Sequence, residues 1–402
     1  MRILEFNDAF WPNVGGIERF LLQITEHLHE QGHEVVVAAH HTQHDGTNPF
    51  PFSVHWRPSE EKLGELVDWC DLLHLNTMHV GLLLRAVLRR KRIVTTNHDV
   101  TMICPKGNKI RYDGPCRNRA GPVVCMKCLK RSHTPKPWQK LVRPPAKGLL
   151  SLLTQASVVT SPWALRRYKL FHKVLIPLGT DVEHFRPAEA RRPGDEADRL
   201  PRVIMVGRVV YEKGAHVAVE ALRHCRDAGH PFELVICSDG PHMPEVKAAV
   251  AARDVGSLVT FRGFISEQEL IAALQSADVA VMPSLWEESF GYTAIEAMAC
   301  GLPVIASNTG ALGSIVGELG PEMIFERGDA VQLAGRLQWL LADRARRRAK
   351  GEAARRLALE KYDLRRMLHA YDDLFASLIW DSGNDADPAR RTDDLHRLRK
   401  AR

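Results

Sequence analysis

Two glutamates separated by eight positions stand in the most informative segment of the chain, Glu288-Ser-Phe-Gly291-Tyr-Thr-Ala-Ile-Glu296. Gly291 can lie where a loop becomes a helix, so Glu288 would precede the helix and Glu296 would lie about one turn inside it. A carboxylate accepts two hydrogen bonds at once, which suits vicinal hydroxyls, and a helix N-terminus attracts phosphate. The pair could therefore hold two sugar rings on either side of a diphosphate. Taken singly, each glutamate is more simply a solvated residue on a helix face.

Two cations five residues apart could bind the same diphosphate. Arg208 and Lys213 lie in Gly207-Arg-Val-Val-Tyr-Glu-Lys-Gly214, a glycine-bracketed loop that follows the predicted strand Val203–Val206. A guanidinium offers a bidentate fork to phosphate, and an ammonium offers a point charge. The alternative is a pair of surface cations, but the bracketing glycines and the strand-end position favour the binding role.

A pair of glycines, Gly15 and Gly16, follows the first predicted strand and opens an amphipathic segment. Glycines at a helix N-terminus let backbone amides approach an anion, and the helix end adds about half a positive charge. A Gly-Gly turn by itself is more often structural. It does not match the Gly-x-Gly-x-x-Gly fingerprint, so a nicotinamide cofactor is not supported.

The elements that must position these residues alternate between short apolar strands and amphipathic helices, which predicts parallel sheets with crossover helices. At 402 residues the chain is too long for one typical core and suits two α/β domains. A charged stretch after Pro187, interrupted by Pro and Gly, is typical of a linker, so we predict two doubly wound sheets facing a cleft. The predicted strands are Arg2–Phe6, Glu34–Ala39, Leu72–Leu75, Ile93–Asn97 and Val158–Ser161, then Val203–Val206, Glu233–Cys237, Leu258–Phe261, Val279–Met282 and Pro303–Ala306.

The apolar pattern and the charge distribution of the sequence predict a cytoplasmic protein with an anionic partner. No apolar run approaches the roughly 20 residues of a membrane span, and the first six residues read as a strand, not as a secretory signal. Between Lys106 and Lys147 there are twelve Lys and Arg against one acid, Asp113. Such a segment suits phosphate groups, acidic lipid headgroups or nucleic acid, or it is a solvated loop region. Its only interleaved aromatics, Tyr112 and Trp138, make nucleic acid the weakest of these partners.

Four of the eight cysteines lie inside that basic segment with the spacing C-x11-C-x8-C-x2-C. This spacing allows a tetrahedral zinc site, which would staple an irregular segment with few apolar residues. Free thiols, or disulfides in an oxidising setting, are the alternatives. The candidate ligands are Cys104, Cys116, Cys125 and Cys128, whereas Cys70, Cys225, Cys237 and Cys300 lie on apolar elements and are predicted to belong to the core.

Taken together, these segments resemble glycosyltransferase family 4, a retaining group with the GT-B fold. The resemblance covers residues 1–380 and rests on four blocks, Gly15-Gly-Ile-Glu18, Ile176–Pro187, Gly207–Gly214 and Glu288–Glu296. It implies two Rossmann-like domains facing a central cleft, with a C-terminal helix that crosses back to the N-terminal domain.

The resemblance also implies a role for each matching residue. Glu288 would hold a hydroxyl of the transferred sugar, and His98 would lie beside the sugar and the acceptor, although a His-Asp pair at a strand end could equally be a satisfied turn. Glu296 would accept from the ribose, and Gly263 and Phe264 would meet the nucleobase. The donor-binding set would be Gly15, Gly16, Arg208, Lys213, Gly263, Phe264, Phe290, Gly291, Tyr292, Thr293 and Glu296. No divalent metal is expected for the chemistry, because Arg208 and Lys213 would balance the diphosphate charge.

These implications give a domain plan and a function. We expect an acceptor-binding domain at residues 1–187 with a Cys-rich basic insert at 104–147, a linker at 188–201, a nucleotide-sugar-binding domain at 202–360, a crossover helix at 361–380 and a disordered tail at 381–402. The expected donor is a UDP-sugar, with GDP-mannose next. The acceptor is a glycan, a lipid-linked sugar or a natural product, and an anionic or membrane-associated acceptor would place the protein at the membrane periphery.

Departures from the family pattern leave the sugar unassigned. The chain has Cys237-Ser-Asp-Gly240 where many members have Gly-Asp-Gly, and Tyr292 and Leu178 replace the commoner Leu and Asn. Two other functions compete with transfer. One is a GT-B sugar-nucleotide epimerase, and the other is a non-catalytic anion-binding adaptor that uses the basic segment.

Overall fold

The computed structural model describes residues 1–12, 15–42, 47–111, 114–116, 121–188 and 199–380. The expected linker lies mostly, and the expected C-terminal tail wholly, outside the described residues. Within the described residues, no helix combines the length and the apolar character that crossing a membrane would require.

The first half of the chain forms a parallel sheet of seven strands and a small antiparallel hairpin. The strands are β1 Arg2–Asn7, β2 Glu34–Ala39, β3 Ser53–Trp56, β4 Leu72–Leu75, β5 Arg92–Asn97, β6 Ile110–Arg111, β7 Gly114–Pro115, β8 Ala156–Val159 and β9 Lys173–Leu175. The sheet order is β3-β2-β1-β4-β5-β8-β9, and β6 pairs with β7. The helices are α1 Gly16–Glu30, α2 Glu60–Trp69, α3 Val80–Leu88, α4 Pro122–Arg131, α5 Pro137–Leu150 and α6 Pro162–Arg167.

The second half forms a parallel sheet of six strands in the order β12-β11-β10-β13-β14-β15. Its strands are β10 Arg202–Val206, β11 Glu233–Cys237, β12 Val259–Gly263, β13 Val279–Met282, β14 Val304–Ser307 and β15 Ile324–Phe325. Its helices are α7 Ala215–Asp227, α8 Met243–Ala252, α9 Glu267–Ser276, α10 Tyr292–Ala299, α11 Gly310–Ile315, α12 Ala330–Leu341, α13 Arg344–Lys361 and α14 Leu364–Trp380.

The apolar pattern of the chain explains why both sheets are covered on two faces. Five of the six residues of β2 are buried, as expected for a parallel strand with helices on both sides. In α1 the buried residues Phe20, Leu21, Ile24 and Leu28 recur at helical spacing and form one face.

In the first sheet β1 pairs with both β2 and β4, so the strand order reverses there. β10 holds the same place in the second sheet, and ligands of such sheets bind at the carboxyl ends beside the reversal.

Helix α14 crosses from the second half of the chain back to the first. The crossing needs close backbone approach at Gly179, where a Cβ would lie 2.6 Å from the Leu364 Cα. Along α14, the buried Tyr371 ring lies 5.5 Å from the Phe20 ring, and Asp372 Oδ2 lies 2.7 Å from His27 Nε2. The two predicted sheets, the cleft and the crossing helix are therefore confirmed.

Five strands of the structure were not predicted from the sequence. These are β3, β9 and β15 at or near the sheet edges and the hairpin strands β6 and β7, all two to four residues long. Segments this short show no period by which a strand can be recognised. All ten predicted strands are present, with ends that differ by up to two residues.

Candidate active site in the cleft

A cavity of about 390 Å³ lies between the two sheets and is lined by residues from both halves of the chain. The N-terminus of α1 from one half and that of α10 from the other both reach it, through Gly16 and Tyr292. The two ends nearly touch, since a Cβ at Gly16 would lie 3.1 Å from the Tyr292 ring. Gly291, which precedes α10, has φ +120°, a conformation that favours glycine. Two converging helix N-termini make the cavity suitable for an anion.

Lys213 and Glu288 form an ion pair at the wall of this cavity. Lys213 Nζ lies 2.6 Å from Glu288 Oε1, and Ser284 Oγ donates to the same oxygen at 2.8 Å. Lys213 Nζ also lies 5.5 Å from the Trp286 ring centroid. Burial by itself raises the pKa of Glu288, but the charge and hydrogen bond of Lys213 outweigh it and lower that pKa below its usual value. Glu288 is therefore an ionised carboxylate in a buried place.

Gly214 directly follows Lys213 and allows the close backbone packing of its loop. A short 3₁₀ turn, Tyr211–Lys213, ends at Gly214, whose φ is +74°. A Cβ there would overlap the carbonyl of Pro283 at the end of β13. Only glycine lets the loop lie this close to the neighbouring strand. With the loop in this position, the Lys213 ammonium lies at the cavity.

Glu296 lies one turn inside α10, as predicted, but it does not line the cavity. Its Oε1 accepts a hydrogen bond from Arg19 Nη1 of α1 at 2.5 Å. Burial raises the pKa of this carboxyl, and the Arg19 guanidinium opposes the rise without cancelling it. Arg19 also lies 3.4 Å from Glu267 and packs over the Phe185 ring. Glu296 therefore joins the two halves of the chain through Arg19, and its contact with the donor ribose stays a prediction.

His98 lines the cavity and is held by a chain of buried polar side chains. Its Nε2 lies 3.1 Å from Asn76 Oδ1, and Asn76 Nδ2 donates to Glu5 Oε2 at 2.9 Å. Glu5 Oε1 lies 2.9 Å from His74 Nδ1, and His74 Nε2 lies 2.7 Å from Thr96 Oγ1. Burial lowers the pKa of His98 to about 3, and the nearby His74 adds to the shift. His98 is therefore a neutral imidazole whose orientation is fixed by Asn76.

The cavity gathers eight of the thirteen predicted catalytic and donor-binding residues. Those that line it are Gly16, His98, Lys213, Glu288, Phe290, Gly291, Tyr292 and Thr293. Five do not line it: Gly15, Arg208, Gly263, Phe264 and Glu296.

The outlying residues have separate positions. Gly15 precedes α1 as its N-cap. Arg208 is exposed and does not line the cavity, so its contact with the diphosphate stays a prediction. Gly263 ends β12 and Phe264 is 78% exposed, in a loop next to Ser238, whose backbone N–H donates to the Gly263 carbonyl.

Comparison with known proteins assigns the chain to a family. The model described as Glycosyltransferase Family 4 matches residues 14–184, and that of Glycosyl transferases group 1 matches residues 188–357. The chain belongs to glycosyltransferase family 4. The resemblance drawn from the four sequence blocks is thereby confirmed.

Curated relatives of this family 4 chain are glycosyltransferases. The 2-deoxystreptamine glucosyltransferase of Streptomyces kanamyceticus is 31% identical over 204 residues, which are 50% of this chain and 52% of the relative. The GDP-mannose-dependent alpha-(1-6)-phosphatidylinositol dimannoside mannosyltransferase of Mycobacterium tuberculosis is 36% identical over 147 residues, 36% of this chain and 37% of the relative. The chain thus spans about half the length, or less, of these curated relatives.

Solved structures confirm the GT-B fold of the family 4 chain. A glycosyltransferase from Rickettsia africae has a TM-score of 0.68 at 18% identity and covers 96% of this chain and 99% of its own. Anabaena HepE in complex with UDP-glucose has a TM-score of 0.70 at 17% identity and covers 94% of this chain and 100% of its own.

The cysteine cluster of the family 4 chain lies beside the site. None of these four described cysteines is in a disulfide, and burial, followed by the proximity of the other three, raises the pKa of Cys125. Among the described residues, no three His, Cys, Asp or Glu side chains are arranged to hold a metal ion. Zinc binding therefore stays a prediction. Cys70, Cys225, Cys237 and Cys300 are buried, as expected for core residues.

The basic segment of the family 4 chain also reaches across the cleft, which the sequence did not predict. Asn108 Nδ2 donates to Glu212 Oε1 at 3.1 Å, and Lys109 Nζ lies 3.9 Å from Glu287 Oε1. These acceptors adjoin Lys213 and Glu288, so the segment lies against the loops that carry the central ion pair.

Two signals could have revealed the residues that sequence reasoning missed. Arg19 stands in the first turns of α1, where positive charge is disfavoured by the helix dipole unless it is paired. Glu5 interrupts the apolar strand Ile3-Leu-Glu-Phe6, and a charge buried in a central strand needs a partner. Both signals indicate that a partner exists but not which residue it is.

Proposed function

We propose that this chain transfers a sugar from a nucleoside diphosphate sugar to a hydroxyl of an acceptor, with retention of anomeric configuration. The observation that carries the proposal is the meeting of Lys213, Glu288 and the N-termini of α1 and α10 in one cavity. An ammonium and two helix ends supply positive potential for a diphosphate. A buried, ionised carboxylate accepts hydroxyl hydrogens from a sugar ring. Each half of the chain supplies part of this constellation.

Lys213 and the two helix ends would balance the charge that develops on the departing diphosphate. An ammonium has three donors, so Lys213 can keep Glu288 and still meet a phosphate oxygen. In the transfer step the acceptor oxygen bonds to the anomeric carbon, the bond from that carbon to the phosphate oxygen breaks, and the acceptor proton passes to the departing phosphate. Attack on the face from which the diphosphate leaves retains the configuration. Catalysis is then positioning and electrostatic stabilisation.

Glu288 acts in this proposal as a holder of sugar hydroxyls and not as a nucleophile. Lys213 and Ser284 both bond its Oε1, and these bonds fix the carboxylate in place. His98, neutral and oriented by Asn76, would position the sugar and acceptor at the opposite wall. Glu296, supported by Arg19, would accept from the ribose, and the Gly263–Phe264 loop would meet the nucleobase.

A UDP-sugar is the first choice of donor, and GDP-mannose is the second. Support for UDP comes from the HepE structures, which have the same fold and are described in complex with UDP and with UDP-glucose. Support for GDP-mannose comes from the mycobacterial mannosyltransferase, which is 36% identical over 147 residues. The acceptor would be a glycan, a lipid-linked sugar or a natural product, and we do not expect nucleic acid as a partner.

The test is a panel of UDP, GDP and ADP, measured by calorimetry, followed by donor hydrolysis with the corresponding sugars. We expect one nucleotide to bind at least about 10-fold more tightly than the others, as base-selective contacts allow. Lys213→Ala should weaken that binding, whereas Lys62→Ala, an exposed lysine of α2, should not.

Two results would contradict the proposal. If no nucleotide binds a folded protein, the anion-binding adaptor is favoured instead. If the donor is converted to its epimer without any acceptor, the protein is an epimerase. Release of free sugar from the donor with its configuration at other carbons unchanged would support transfer.

A further inference from the structure

Helix α5 presents its apolar face to solvent. Trp138, Val142 and Leu149 recur at i, i+4 and i+11 and so lie on one side of the helix. That stripe would ordinarily face a core, but here the three side chains are 67%, 57% and 67% exposed, and no residue of α5 is buried. The helix therefore offers an apolar ridge that nothing in the described residues covers.

The apolar exposure continues on neighbouring elements. In α4, which packs against α5, Val123 and Val124 are 81% and 41% exposed. Directly after α5, Leu152 and Leu153 are 46% and 38% exposed. Exposed apolar groups that cluster in this way mark an interaction surface. We call the apolar side chains of α4, α5 and residues 152–153 the apolar patch.

Helix α3 adds a second ridge. Val80, Leu84 and Leu88 recur at i, i+4 and i+8 and are 48%, 46% and 82% exposed. Leu150 at the end of α5 packs against the core cluster that contains Leu82 and Leu83 of α3. The two ridges thus belong to the same half of the chain.

The charge of the segment around the apolar patch indicates what kind of partner covers it. The sequence contains no Asp or Glu from residue 114 to residue 180, whereas residues 121–153 contain seven Lys and Arg. Exposed cations among these include Lys127, Lys130, Lys136 and Arg143. An exposed apolar ridge whose own segment carries cations and no acid fits the boundary between headgroups and acyl chains of an anionic bilayer. We propose that α4 and α5 dock the protein on an anionic lipid membrane.

The docking surface lies beside the candidate active site. Lys147, one turn before the end of α5, donates to Thr101 Oγ1 at 2.5 Å and lies 3.9 Å from Asp99 Oδ1. Asp99 follows His98, and both line the cavity. If the proposed transfer holds, a lipid-anchored acceptor would reach His98 from the membrane surface. The docking surface itself does not depend on that function.

The experiment is co-sedimentation of the full chain with vesicles of pure phosphatidylcholine or with 30% phosphatidylglycerol, at low and high salt. We expect binding to the anionic vesicles at least about 10-fold stronger than to the neutral ones, and weaker at high salt, because surface potentials are screened. A triple variant, Trp138→Ser with Val142→Ser and Leu149→Ser, should lose most of the binding. Val331→Ser, a 64% exposed apolar residue of α12, is the matched control and should bind normally.

A charge variant and a fold check complete the design. The double variant Lys136→Gln with Arg143→Gln should bind anionic vesicles more weakly. We expect a loss of about 5-fold for each cation removed, because one cation near an acidic leaflet contributes about 1 kcal/mol. All variants should unfold at the same temperature as the parent, since the substituted side chains are exposed.

Several outcomes would overturn the proposal. One is equal binding to both kinds of vesicle, and another is binding that the triple variant leaves unchanged. If sedimentation velocity instead showed a dimer that the triple variant converts to monomer, a second copy of the chain would be the occupant. Intact vesicle binding without nucleotide binding would reject the transferase function alone, and the reverse result would reject the docking surface alone.

Discussion

The contact between Arg19 and Glu296 allows a sharp test of how the donor ribose is held. Arg19 Nη1 lies 2.5 Å from Glu296 Oε1, and the carboxylate is 4% exposed. Burial raises the pKa of Glu296, and Arg19 is the first of the groups that oppose the rise. Arg19→Gln keeps a hydrogen-bond donor but removes the charge. We expect the pKa of Glu296 to climb further in this variant, so that the carboxyl holds its proton at higher pH.

The size of the effect follows from the charge assistance that the hydrogen bond to Glu296 loses. A hydrogen bond to a charged group contributes about 1.5–3 kcal/mol, and one pKa unit corresponds to about 1.4 kcal/mol. The pKa of Glu296 should therefore rise further in Arg19→Gln, because the cation that opposes the effect of burial is removed. A ribose hydroxyl donates to the ionised carboxylate, so nucleotide affinity should be weakest at low pH and recover as pH rises. At the acidic end we expect a loss of about 10- to 100-fold.

The assay is calorimetric titration with UDP and with 2′-deoxy-UDP from pH 5.5 to pH 9. The parent should lose affinity for the deoxy nucleotide, and Arg19→Gln should discriminate less between the two. Arg19→Lys keeps the charge and should stay close to the parent. Arg223→Gln, which removes a guanidinium paired with Glu220 on α7, is the matched control away from the cleft.

One result would refute this reasoning directly. If Arg19→Gln binds UDP more tightly than the parent at every pH, Arg19 competes with the ribose for Glu296 and does not support it. An unchanged affinity for both nucleotides would mean that Glu296 does not meet the ribose at all.

Three further predictions concern the central ion pair, the metal requirement and the cysteines. Lys213→Ala should lower kcat by about 10²–10³. Arg208→Ala should have a smaller effect, because Arg208 is exposed. Steady-state kinetics with the preferred donor will check both expectations. Transfer or donor hydrolysis should continue in EDTA during a short assay, and immediate loss rescued by Mg²⁺ would show that a metal balances the diphosphate. If the four clustered cysteines bind zinc, elemental analysis should find about one zinc per chain. Chelation should then weaken acceptor-dependent turnover more than nucleotide binding. A protein that is metal-free as isolated and fully active would contradict zinc binding.

Much of the fold could be predicted from the sequence because the signals were local. The strands Glu34–Ala39, Leu72–Leu75, Glu233–Cys237 and Val279–Met282 have the predicted bounds, since each is a short run of apolar, mostly β-branched or leucine residues between turns. Gly291 marks the start of α10 in the same way, since its φ of +120° requires a glycine. In each case a few adjacent residues carry the whole signal.

The partners of the charged residues could not be predicted, because they depend on contacts distant in the chain. Lys213 pairs with Glu288 across 75 positions, and Arg19 pairs with Glu296 across 277. Sequence shows which residues carry charge but not which of two cations lines the cavity. Arg208 and Lys213 look alike in the loop, but of the two only Lys213 lines the cavity, next to the close backbone approach at Gly214.

The basic segment connects features that are distant from one another in the sequence. Asn108 bonds Glu212, the residue directly before Lys213, while Lys147 of α5 contacts Thr101 and Asp99 beside His98. One segment therefore contacts both walls of the cavity and also carries the exposed apolar patch. Because Glu212 and Lys213 belong to the same short 3₁₀ turn, a displacement of Asn108 would act on the backbone that positions the ammonium. Contact with an anionic surface at α5 and charge balance at the diphosphate would thus be coupled through the residues of this one basic segment.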